Sequence, residues 1–202
     1  MKQMKIEDWF NLWGGDHNIK LDKKTINVLV GPNGSGKTTT LDQISRAVDN
    51  PACHSVYFNN EFEGGNVEAQ RLLNTGTTTQ LASFATSSEG QRIMQCLGRI
   101  AYSVGQKIRS MSQSGHNILF VMLDAIDSGM SINNIRYLKE EFFNLVIEDC
   151  KNNNIEVYIV TAANSYEMTK GCHCIDVSTG KEITFKDYEE YANFICGFQN
   201  EG

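Results

Sequence analysis

Proline is scarce in this chain, with two residues in 202, and no tract of low complexity interrupts it. A proline-rich spacer or recognition segment is thereby excluded, and no shift in composition marks a place to divide the chain. Also missing is any apolar run near the roughly 20 residues that a membrane-spanning helix requires. The opening Met1-Lys2-Gln3-Met4-Lys5 leads into mixed polar sequence rather than the apolar core of a secretory leader, so a cytoplasmic protein without membrane partners is expected. Positive charge is in deficit: 18 Lys and Arg against 24 Asp and Glu leave a formal net charge of -6. Binding of nucleic acid by overall charge is excluded, and only a local basic patch would serve. Cysteine is not scarce, at six, but with no leader the thiols read as reduced rather than as a disulfide framework. Cys172-His173-Cys174 has neither zinc-site spacing nor a second ligand pair, which assigns it to structure.

Apolar residues make up 41% of the chain, enough for the core of a single domain over 1–202. Short strands and turns are expected over 4–30, with Gly14-Gly15-Asp16 as punctuation and a β-rich run from Thr25 to Val30. A helix should follow from Lys37 to Val48, then a strand from Ser55 to Phe58. A short helix at Val67 to Leu73 belongs to a polar, Thr-rich insertion covering about 61–90. Ile93, Leu97, Ile100, Val104 and Ile108 recur every three or four residues and mark the buried face of a helix of about five turns. The apolar run Ile118 to Leu123 reads as a buried strand ending on Asp124. Ile135, Leu138, Phe142 and Leu145 trace a second amphipathic helix, capped by Ser131 and ended by Asn152-Asn153-Asn154. A strand from Ile155 to Thr161 follows. Cys174 to Val177 and Glu182 to Phe185 then flank the turn Ser178-Thr179-Gly180, before a helix over 187–196. This alternation predicts an α/β fold: a mostly parallel sheet flanked by helices, with a small antiparallel β region at the N-terminus.

Gly31-Pro32-Asn33-Gly34-Ser35-Gly36-Lys37-Thr38-Thr39 follows a strand and opens a helix, the context that a phosphate-binding loop requires. Glycines let backbone N–H groups turn inward around anionic oxygens, and the helix adds its positive dipole end. Lys37 can reach the terminal phosphates and the Thr38 hydroxyl can ligate magnesium. Asn33, Gly34, Ser35, Gly36, Lys37, Thr38 and Thr39 are therefore the candidate nucleotide-binding residues. Asp124 needs a partner for its charge, and a magnesium ion bridging phosphates needs a carboxylate from a nearby strand. It is the candidate metal residue, with capping of the next turn as its competing structural role.

Two further stretches give the chain a family likeness. Ser87-Ser88-Glu89-Gly90-Gln91-Arg92 heads a helix, and Leu123-Asp124 is followed by Asp127-Ser128-Gly129-Met130-Ser131. With the loop at 31–39, these resemble the signature motif, the Walker B strand with its D-loop, and the Walker A loop of ABC-type ATPases. The order matches, and the likeness covers nearly the whole chain. Lys37 and Ser88 lie 51 positions apart, which is short for a transporter's ATPase subunit and leaves no room for an internal coiled coil. The resemblance is to a minimal, free-standing P-loop NTPase related to the RecF and chromosome-maintenance heads, of a kind associated with bacteriophage and bacterial genomes. It implies ATP and magnesium as cofactors. It also implies a head-to-tail homodimer that sandwiches ATP, in which Ser88, Gly90 and Gln91 of one subunit cap the terminal phosphate held by the other. Asn60 corresponds to the residue, usually Gln, that senses that phosphate through magnesium. Trp9 or Trp13 stands where an aromatic stacks on adenine, with packing in a small sheet as the alternative.

The chain departs from the family at two places. The glutamate that serves as general base should follow Asp124, and Ala125 stands there; a methyl group accepts no proton. A histidine should follow Thr161, and the sequence has Ala162-Ala163-Asn164. Asp127 or Glu89 is the candidate substitute base, and the Asn164 amide can donate to a phosphate oxygen without carrying a proton. Slow or impaired hydrolysis of ATP to ADP and phosphate is expected. A non-hydrolysing dimerisation switch stays open as the alternative, as does an engineered Ala125 that traps the bound state. A DNA or protein partner is equally open. Arg92, Arg99, Lys107 and Arg109 would meet DNA phosphates, or else form a solvated, ion-paired face.

Overall fold

A computed structural model describes residues 11–12, 17–23, 25–48, 53–59, 89–114 and 117–197. Two short strands, β1 (Asn11–Leu12) and β2 (His17–Asn18), pair antiparallel. The main sheet holds β3 (Ile26–Val30), β4 (His54–Asn59), β5 (Ile118–Asp124), β6 (Glu156–Ala162), β7 (His173–Asp176) and β8 (Glu182–Ile183). Its order is β4-β5-β6-β3-β7-β8, and every pairing is parallel except β7 with β8. The protein is thus α/β with a mostly parallel six-stranded sheet.

The central strands β3, β5 and β6 are apolar nearly throughout because both faces are covered. In β5, Phe120 and Met122 point to one side and Leu119, Val121 and Leu123 to the other; in β6, Tyr158 and Val160 oppose Val157 and Ile159. Helix α1 (Lys37–Ala47) lays Leu41 and Ile44 on the first side. The second side takes α2 (Glu89–Ser114), α3 (Ile132–Tyr137), a π turn at Leu138–Phe143, and α4 (Asn144–Asn152). A four-residue helix, α5 (Tyr166–Thr169), follows β6, and α6 (Tyr188–Cys196) closes the described chain. Asn27 is the polar exception inside β3. Its amide donates to the Asp22 and Ile159 carbonyls at 2.8 and 2.9 Å and its oxygen accepts from the Asp22 N–H at 2.7 Å, so burial leaves none of it unmet.

Leu97, Ile100, Val104 and Ile108 form the buried stripe of α2 as the spacing predicts, and Met111 extends it by a turn. Ser131 caps α3, accepting from the Asn134 N–H at 3.3 Å. Leu145 is a correction: it is 62% exposed. The π turn inserts one residue into the helical repeat, so the buried stripe passes from Ile135, Leu138 and Phe142 to Phe143, Val146 and Cys150. The expected helix at 67–73, the insertion up to 88, Trp9, Trp13, Asn60 and Ser88 lie outside the described residues. Among those described, no helix is long and apolar enough to cross a membrane.

Candidate functional site

At the end of β3 the chain turns into the loop at Gly31. A Cβ there would lie 2.4 Å from Ser35 Oγ, so only glycine lets the loop fold back on itself, with the Ser35 N–H donating to the Pro32 carbonyl at 3.1 Å. Gly34 and Gly36 take left-handed backbone, with φ of 80° and 96°. Gly36 starts α1 without a side-chain cap, and the first turn carries no acidic residue. The helix therefore leaves its positive end and first N–H groups to an outside acceptor. Lys37 folds over the loop, its Nζ donating to the carbonyls of Gly31 at 2.7 Å and Pro32 at 3.2 Å. Burial pulls its pKa down, against the opposing pull of Asp127 and Asp124. The Ser35 hydroxyl is buried with no hydrogen-bond partner among the described residues. Asn33, Thr38 and Thr39 are exposed.

The parallel register sets Asp124 at the level of this loop. Ala162 of β6 pairs with Leu29 on one side and with Asp124 on the other, so the three strands end together. Asp124 is buried, and Asn59, opposite it at the end of β4, donates to its Oδ2 at 3.0 Å. The sequence reading has the strand end Phe58-Asn59-Asn60-Glu61 as its candidate and chooses Asn60, which lies outside the described residues, without foreseeing the bond from Asn59 to Asp124. The available signal was positional: both strands end on a polar residue after an apolar one, and parallel pairing aligns those ends.

Ala125 follows with φ of 50°, its N–H donating to the Ala162 carbonyl at 3.1 Å. The turn closes through Ser128 N–H to the Ala125 carbonyl and Met130 N–H to the Asp127 carbonyl, both at 3.1 Å. Asp127 is buried inside it. Its Oδ2 accepts the N–H groups of Asn164 at 2.9 Å and Ser165 at 2.6 Å, which ties the turn after β5 to the segment after β6. Its Oδ1 is buried without a partner among the described residues. Burial raises the Asp127 pKa, opposed by those N–H groups and by Lys37. The Asn164 side chain itself is exposed.

The loop, Lys37, Asp124, Asp127 and the Asn164 backbone thus gather at one end of the sheet. Glu89, Gly90 and Gln91 form the first turn of α2, and the side chains of Glu89, Gln91 and Arg92 fall outside what the structure describes. Thr161 is buried in β6. His173 has Nε2 3.0 Å from the Lys20 carbonyl and Nδ1 3.4 Å from Glu182, and Cys174 Sγ faces the Thr169 carbonyl at 3.5 Å. No group of three or more His, Cys, Asp or Glu suited to a metal occurs among the described residues. The Thr38 hydroxyl and the Asp124 carboxylate are hard oxygen donors, the kind that suits magnesium, which keeps waters and phosphate oxygens as its remaining ligands. No family model, curated protein or solved structure matches this chain, so the chemistry of the site rests on these side chains and N–H groups.

Proposed function

We propose that the chain binds ATP with magnesium at residues 31–39, pairs head to tail around it as ABC-type ATPases do, and hydrolyses it slowly. The observation that carries this reading is Lys37 on two loop carbonyls at the uncapped head of α1. An ammonium held there can exchange those carbonyls for phosphate oxygens, which bind it more strongly because both partners are charged. The loop N–H groups and the Ser35 hydroxyl take the other oxygens. Thr38 and Asp124 would hold the magnesium, which when bound neutralises charge on the terminal phosphates. Asn59 fixes the Asp124 carboxylate through its amide.

Hydrolysis is slow in this reading because the residue after Asp124 is an alanine. Asp127 has one oxygen held by two N–H groups and one without a partner among the described residues, so a substitute base there acts from a buried position. That same methyl at 125 favours the second reading, an ATP-dependent assembly switch that does not turn over.

Phosphate release from magnesium-ATP, followed at several protein concentrations beside Lys37→Ala, tests both. Release that rises more than linearly with protein and vanishes in Lys37→Ala supports a dimeric ATPase. ATP retained without release supports the switch. Ala125→Glu should then raise release about a hundredfold, the usual contribution of a positioned base.

A further inference from the structure

A cleft of about 430 Å³ opens beside the loop, between Pro32, the turn after β7 and one side of α6. Its size falls in the range of roughly 300–1,000 Å³ usual for small-molecule sites. Resting on the reading that residues 31–39 hold the phosphates, we propose that this cleft seats the nucleotide's base, and that the base is a purine.

The lining separates an aromatic wall from a polar rim. Phe185 and Phe194 form the wall, their ring centroids 5.3 Å apart and the planes inclined by 51°. A fused purine offers more ring face to such a wall than a pyrimidine does. On the rim, Asn193 carries a half-buried carboxamide. It presents a donor and an acceptor together, the pair that a purine edge complements.

Charge fixes which end of the nucleotide enters. Asp176 and Glu190 both line the cleft. The Asp176 oxygens are held by the Ser178 N–H at 2.9 Å and the Thr179 hydroxyl at 2.8 Å, and Glu190 accepts from the Lys186 N–H at 2.6 Å. Two carboxylates repel phosphate and tolerate a neutral ring with N–H donors. The cationic, N–H-rich loop on the other side of Pro32 has the opposite preference. One nucleotide laid across Pro32 satisfies both.

The test compares magnesium-ATP with inorganic tripolyphosphate, which has the phosphates and no base, by calorimetric titration of the full chain. Phe194→Ala and Asn193→Ala are measured beside wild type, with melting curves for each. Wild type should prefer ATP to tripolyphosphate and to CTP. Phe194→Ala should weaken ATP roughly tenfold and leave tripolyphosphate unchanged. Asn193→Ala, on a half-buried position, should narrow the ATP-over-CTP preference without moving the melt. ATP affinity equal in wild type and both variants would overturn the proposal and send the base elsewhere, Trp9 and Trp13 included. Equal loss of ATP and tripolyphosphate would overturn it too, since the cleft would then act through the phosphates or the fold. Failure of wild type to bind either ligand would instead defeat the phosphate reading on which the proposal stands.

Discussion

Residues 31–36 and 125–131 leave the same end of the sheet, one after β3 and the other after β5, and each leads into a helix. Their polar groups are disposed in opposite ways. The first loop presents donors with no settled acceptor among the described residues: an uncapped helix end, a buried Ser35 hydroxyl without a partner there, and a lysine resting on its own loop's carbonyls. The second presents an acceptor already in use, because Asp127 Oδ2 clasps two N–H groups of the neighbouring connection. The backbones differ in the same sense. Glycines alone take the left-handed positions in the first loop, whereas in the second an alanine shares them with Gly129. One loop leaves its donors open, as the proposed phosphate site requires, and the other holds two connections together.

Removing the clasp should have the largest effect. Asp127→Ala leaves the Asn164 and Ser165 N–H groups unmet and should lower stability by about 3 kcal/mol in urea unfolding, at roughly 1–3 kcal/mol for each stranded group. Asp127→Asn keeps an acceptor and should lose less than half of that. Next comes the receiving loop: Gly31→Ala drives a Cβ against Ser35 Oγ, and overpacking of that kind costs about 2 kcal/mol. ATP affinity should fall with it, since Ser35 must move.

The pH response sharpens the contrast. Burial holds the Asp127 carboxyl above the ordinary carboxylate value. A group raised on folding contributes stability that is complete below its unfolded pKa and is lost as pH rises through its folded one. Wild type should therefore gain on Asp127→Asn as pH falls from neutral through that raised value, and the difference should level off below the ordinary carboxylate range. A difference that is flat with pH would show a carboxylate ionised alike in both states. The smallest effect belongs to Ala125→Gly, which relieves left-handed alanine but frees the unfolded chain; a net gain of about 0.5 kcal/mol is expected.

The strand, glycine turn and helix around residues 26–47 were legible in the sequence because the turn residues are local and the strand before and helix after carry clear periods. The stripe of α2 and the strand ending on Asp124 were legible for the same reason. What escaped depends on partners distant in sequence. The tie that Asp127 makes between two connections escaped, since its partners are N–H groups 37 and 38 residues further on. The bond from Asn59 to Asp124 escaped because β4 runs to Asn59 rather than Phe58 and only pairing with β5 sets the two side by side. Leu145 was placed on the buried face because a π turn changes the helical repeat without any mark in composition. Helix α5 has four residues, too few to carry a period.

Titration of magnesium-ATP into the full chain and into Lys37→Ala, with melting curves showing both folded, tests the receiving role of the 31–39 loop most directly. Wild type should bind, and the variant should bind about a hundredfold more weakly, as the loss of charge-assisted bonds worth roughly 3 kcal/mol implies. Equal affinity in the two proteins, or no binding by wild type, would contradict a phosphate site at this loop.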